Sequence, residues 1–264
     1  LRWEYEERRA LAALVFVDAL GARIVTPISV VSPGVRLLAK RPGELVVMAA
    51  PGLATHDVFA APPAAPAIGS VAVLLDIRPA ARGLGTRRFE LRLPRNPTPA
   101  DPLPANSLFR PVEIPLLPAP GATPTGLAAA LSVTLRRDFD GRRIEGALIR
   151  LTPDGGRPVA RALTNEAGEA LLLVLGVPVS VPGPAATVLP DLGATLDAIV
   201  DPALARFHAD DELDAARDAA VRRQSGFIDP DDIETRLGGA ATPATSLRIA
   251  AGRLRRATVT WTQP

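Results

Sequence analysis

The chain carries two histidines, His56 and His208, and no cysteine, so reactive chemistry has few places to sit. Without a thiol, disulfides, thiolate metal sites and cysteine nucleophiles are excluded. A serine hydrolase would need one of the histidines as its base, but no Gly-x-Ser-x-Gly elbow is present. His208 stands in His208-Ala-Asp210-Asp211-Glu212, which offers metal ligands; a helix start beside a solvated histidine is the preferred reading. His56 follows Pro51-Gly-Leu-Ala-Thr and reads as a loop after a strand. Asp138-Phe-Asp140-Gly141 resembles a fragment of a calcium loop without its distal Glu. Asp229, Asp231, Asp232 and Glu234 could bind a divalent ion, but helix capping accounts for them more simply. Gly83-Leu84-Gly85 lacks the rest of a dinucleotide fingerprint, and no P-loop occurs. No pair of carboxylates is singled out for glycoside cleavage. The expectation is no catalytic residue, no cofactor and no metal, hence not an enzyme.

Composition frames the elements that must position these residues. Hydrophobic residues make up 47% and charged residues 22% of 264, ordinary for a globular chain and long enough for two domains. The 28 prolines do not fit long helices, where each interior proline costs about 3 kcal/mol. Short strands with turns suit them better. Lys40 is the only lysine, an arginine bias typical of GC-rich bacterial coding. Although the pI is near 9.8, the net charge is only +2. Acids and arginines alternate without aromatic platforms, so nucleic acid is not the expected partner. No apolar run approaches the ~20 residues of a bilayer span. A cytoplasmic or particle-associated location is expected, and an upstream signal cannot be assessed from a chain beginning at Leu1.

Self-comparison organises the chain. Asp18-Ala-Leu-Gly21-Ala-Arg23-Ile24 and Asp138-Phe-Asp-Gly141-Arg-Arg143-Ile144 share D-x-x-G-x-R-I, 120 residues apart. Apolar stretches flank each copy, and Gly43-Glu44-Leu45 answers Gly168-Glu169-Ala170 further on. Leu131, Val133 and Leu135, then Ala147, Ile149 and Leu151, have the period of half-buried strands. Asp18 and Asp138 are expected to accept backbone N–H bonds in the turns, while Gly21, Gly43, Gly141 and Gly168 supply the left-handed backbone. A duplicated hairpin module follows.

The stretch Ile144-Glu-Gly146-Ala147-Leu-Ile-Arg-Leu151, with Thr164-Asn165-Glu-Ala-Gly168-Glu-Ala-Leu171, resembles the carboxypeptidase regulatory-like domain, a small transthyretin-like β-sandwich. The resemblance covers residues 127–180 well and 10–60 weakly, and Leu171-Leu172-Leu173 replaces the usual aromatic strand. It implies a Greek-key fold, no catalytic residue, and an adhesive, scaffolding or sugar-contacting role.

The expected architecture is mainly β: a sandwich at 1–93, a Pro-rich linker at 94–124, and a second sandwich at 125–264 with a helical insert at about 190–239. The linker carries ten prolines in 31 residues and prefers extended geometry. Three helices are expected in the insert: from Asp201-Pro202 to Phe207, from Asp211 toward Arg223, and from Asp229 to Leu237 before Gly238-Gly239. Phe207, Phe227 and Ile228 there are the candidate partner contacts. The functional expectation is a structural or adaptor subunit of a larger bacterial assembly, contacting other protein subunits; pairing with further copies of itself stays open. The two-module, arginine- and proline-rich pattern is similar to components of phage-tail-like contractile injection particles. The alternative is a carbohydrate- or surface-binding accessory, and a hydrolase around His208 ranks third.

Overall fold

A computed structural model describes residues 9–56, 63–100, 102, 104–124, 128–154, 156–157, 159–177, 191–210, 226–240 and 244–262. The protein is mainly β and sandwich-like, and it divides into two units. The first comprises residues 1–17, 21–80 and 88–115, and the second 18–20, 81–87 and 116–264.

In the first unit, β1 (Ala12–Val17) lies between antiparallel β4 (Glu44–Ala49) and parallel β7 (Val112–Pro115), with β3 (Arg36–Arg41) outside β4. A second sheet orders β2 (Ile28–Val31), β5 (Val71–Pro79) and β6 (Arg87–Leu93), of which the first residue, Arg87, belongs to the second unit. The core residues come from both sheets: Leu14, Phe16, Val47 and Ile114 from one, and Leu75, Ile77, Leu91 and Leu93 from the other. β5 alternates buried and exposed positions along its length, as a strand with one dry face must.

The second unit repeats the plan. β8 (Ala129–Arg137) lies between antiparallel β12 (Glu169–Val174) and parallel β16 (Leu254–Trp261), and the short β9 (Arg143–Glu145) joins β8 to β14 (Arg206–His208). The facing sheet orders β11 (Ala160–Leu163), β10 (Leu148–Pro153), β13 (Leu192–Ile199) and β15 (Thr245–Ile249). Leu131, Val133 and Leu135 meet Ile149, Leu151, Leu196 and Ile249 in one core.

The duplication is therefore topological. In both units the D-x-x-G turn leaves the central strand, and that strand's closing neighbour begins at the second glycine. Phe16 donates its N–H to Gly43 O and Leu135 to Gly168 O, at 3.2 and 2.8 Å. A Cβ on Gly43 would strike the backbone of Ile24, and one on Gly168 would approach the N of Ile144, the same residue of each repeat. The copies diverge at their third strand. β3 pairs with β4, whereas β11 crosses to pair with β10 in the opposite sheet.

Several expectations need correction. The stretch 94–124 is no simple spacer, since β7 completes a sheet and Leu116 and Leu117 are buried. Prolines 111 and 115 bracket β7 and confine it to an edge. Residues 192–199, placed in the helical insert, form the internal strand β13. No helix runs from Asp201 to Phe207: Asp201 accepts from Ala203 N in a single turn, and Arg206–His208 then pair with β9. The helix expected between Asp211 and Arg223 lies outside the described residues. α1 (Pro230–Leu237) forms as expected, with Asp229 as N-cap and Pro230 in its first turn.

Candidate functional site

The acidic residues around α1 sit against the outer face of the β10–β13 sheet. Leu148 and Ile199 point out of that sheet and meet Ile228 and Ile233 in a second small cluster. Ile228 is 7% exposed, so it holds the helix down and is not available to a partner. Around this contact, arginines answer every acid of the cluster. Arg161 Nη1 donates to Asp231 at 2.8 Å and to Glu234 at 2.6 Å. Arg150 forks onto Asp197 at 2.9 Å through two nitrogens. Arg87, fully buried, donates to Asp231 at 2.8 Å and lies 3.4 Å from Asp229. Arg236 joins Asp201 at 2.7 Å and also holds Asp232.

Burial raises the Asp231 carboxyl, but the charges of Arg87 and Arg161 outweigh it and hold it below its ordinary value. Asp229 goes the other way, raised chiefly by burial. Carboxylates tied to arginines in this way act as mortar between helix and sheet. No cluster of three or more potential metal ligands occurs among the described residues.

The pairing of β14 with β9 brings His208 Nε2 to 2.8 Å from Glu145 Oε2, whose side chain is 3% exposed. Asp210 does not join them; Arg143 at 2.8 Å and Arg136 at 3.1 Å hold it instead. Phe207 stacks near Trp261, with ring centroids 6.1 Å apart, and the Arg137 guanidinium lies 4.4 Å above it. Phe227 is half-buried. Of the three expected partner contacts, one is core and one is an internal stacking residue.

The expected turn residues fall at turns. Gly21, Gly43, Gly141 and Gly168 all adopt positive φ, from 66° to 80°. Asp18 accepts from Leu20 N at 2.9 Å. In the second copy that role belongs to Asp140, which accepts from Arg142 N at 3.2 Å and is held at a pKa of about 2, chiefly by Arg137. Asp138 instead donates its backbone N–H to Trp261 O.

Among the described residues, the C-terminal hairpin offers a surface of another kind. Its arms enter different sheets: β15 pairs with β13 and β16 with β8, each at the edge of its sheet. β16 keeps unbroken register with β8 over eight residues. Its Val259 and Trp261 face the core, while Leu254, Arg256, Thr258 and Thr260 are exposed. Arg248, Arg253, Arg255 and Arg256 are all exposed. None has a carboxylate partner among the described residues; Arg255 donates to the Arg248 carbonyl. The edge β3 differs, because two register shifts break its pairing with β4 and Arg41 is tied to Glu44. Such bulges are the usual device for blunting an edge. A long, regular, positively charged edge can accept an added strand through its main chain and select an acidic one through its side chains. The sequence did carry a signal for it: after Glu234 there are five arginines and no acid.

No family model matches the chain, and no curated protein does. The Bacillus anthracis TIE protein aligns over 96% of this chain and 34% of its own, at 9% identity and a TM-score of 0.29. GBS52, the minor pilin of the gram-positive pathogen Streptococcus agalactiae, aligns over 73% of this chain and 60% of its own, at 9% identity and a TM-score of 0.27. The chain thus matches less than two thirds of the length of either.

Proposed function

We propose that this chain is a non-catalytic adaptor whose C-terminal hairpin receives an acidic strand from another protein subunit. One observation carries the reading: β16 presents an open edge in unbroken register, flanked by four arginines without carboxylate partners among the described residues. The carboxylates around α1, by contrast, are engaged in holding the fold. On this reading the strand's owner belongs to a larger bacterial assembly; a phage-tail-like contractile particle is the instance the sequence pattern resembles. The sugar-binding alternative loses support from the burial of Trp261, which is 3% exposed and presents no ring to a sugar.

The test is co-purification from the native source with wild type, with Arg255→Glu/Arg256→Glu, and with Arg78→Glu/Arg82→Glu as a charge-matched control. Protein subunits that accompany wild type and the control, and are lost from the β16 variant, support the proposal. Equal recovery by all three contradicts it, as does loss of a nucleic acid alone.

A further inference from the structure

The first unit contains a cleft of about 290 Å³, walled largely by apolar groups that include Pro66, Ile68, Pro94 and Leu108. Three basic side chains reach its lining, Arg9, His56 and Arg95, and no acidic one does among the described residues. His56 is 3% exposed, yet neither ring nitrogen has a hydrogen-bond partner among the described residues. Arg9 Nε is also buried without one, while its Nη2 donates to His56 O at 3.3 Å. Arg95 differs in kind. Its Nε and Nη2 donate to the carbonyls of Ala105, Ser107 and Arg110 at 2.6–3.2 Å, so it contributes charge and holds the 105–110 loop.

Leaving buried polar atoms unpaired is costly, and a folded chain tolerates it chiefly where something else supplies the partner. Burial and the nearby Arg9 charge push the His56 pKa down. The imidazole is therefore neutral near pH 7 and carries one N–H. With Arg9 Nε this makes two unanswered donors beside a permanent cation, inside apolar walls. Two open donors match the two oxygens of a carboxylate; Arg95 adds a second positive charge but spends Nε and Nη2 on the loop carbonyls, so the further oxygens of a phosphate would find fewer donors.

We propose that this cleft binds a small organic monocarboxylate with an apolar body, its carboxylate answered by Arg9 and His56 and its body held by the proline-rich walls. The site is independent of the β16 edge, so either can fail without the other.

The experiment titrates ¹³C,¹⁵N-histidine-labelled protein with 4-methylpentanoate and, in parallel, with the neutral 4-methylpentanamide. With only two histidines, His56 is assigned by its absence in His56→Leu, and His208 serves as the internal control. Saturable movement of the His56 resonances with the acid, at least about tenfold weaker with the amide, is expected. Arg9→Met should abolish that preference while the His208 resonance, reporting the intact fold of its own unit, stays in place. Thermal unfolding of Arg9→Met checks that the first unit remains folded. No saturation at His56, or equal binding of acid and amide by wild type, overturns the proposal.

Discussion

Replacing Gly43 with alanine separates the repeated close approach from ordinary turn chemistry. The backbone at Gly43 has φ +75°, and an added Cβ would lie 1.7 Å from Ile24 O and 2.8 Å from Ile24 C. Because both atoms are backbone, no rotamer change relieves the clash. A left-handed alanine costs about 1–2 kcal/mol, and overpacking adds about 1–3 kcal/mol. Gly43→Ala should therefore lose about 2–5 kcal/mol, a large share of a domain's stability. At Gly168 the Cβ would stand 2.6 Å from Leu135 O, so Gly168→Ala should lose about 2–4 kcal/mol by the same reasoning. Gly21 also has positive φ, but nothing lies within 4 Å of its Cβ position; Gly21→Ala should cost only about 1–2 kcal/mol. Urea unfolding reads these differences. Trp261 fluorescence in a Trp3→Phe background follows the second unit, and exchange in β1 and β4 peptides follows the first. If Gly43→Ala and Gly21→Ala are equally destabilised, the shared packing of the second glycine against the repeated isoleucine is refuted.

Two further outcomes follow from the polar interior. Arg87→Met removes the buried cation shared by Asp229 and Asp231 and leaves Asp231 to Arg161; it should cost about 1–3 kcal/mol, read as a loss in the Trp261 transition, and an unchanged transition would show that α1 does not need this pairing. His56 has a folded pKa below its unfolded value, so the unfolded state binds more protons between the two. Stability of the first unit should be full above about pH 6.5 and fall as pH drops from there toward the folded pKa, a slope that His56→Leu removes; an identical slope in the variant would contradict the burial of a neutral ring.

The parts of this fold that were legible in the sequence are those written locally. The D-x-x-G turns, the second glycines, the alternation of β8 and the capped helix at 230–237 each carry their own signal within a few residues. What stayed hidden depends on distant partners. β13 reads as an indifferent Leu-Gly-Ala-Thr-Leu-Asp-Ala-Ile until Asp197 is seen against Arg150 and Ala194, Leu196 and Ala198 against the opposite sheet. The Asp201-Pro202 signal does make a turn, but pairing of residues 206–208 with β9 overrides the helix it announces. Ile228 looked like a free apolar residue because its partners, Leu148 and Ile199, are far away in sequence. The basic edge was masked by averaging. A net charge of +2 over 264 residues conceals a C-terminal segment without a single acid.

The most direct measurement is hydrogen–deuterium exchange of this chain alone and within the assembly it co-purifies with. The proposed docking predicts that peptides covering residues 245–249 and 254–261 exchange readily at their open edges in the free chain and become protected in the assembly. Unchanged exchange there, with protection arising elsewhere on the chain, would contradict it.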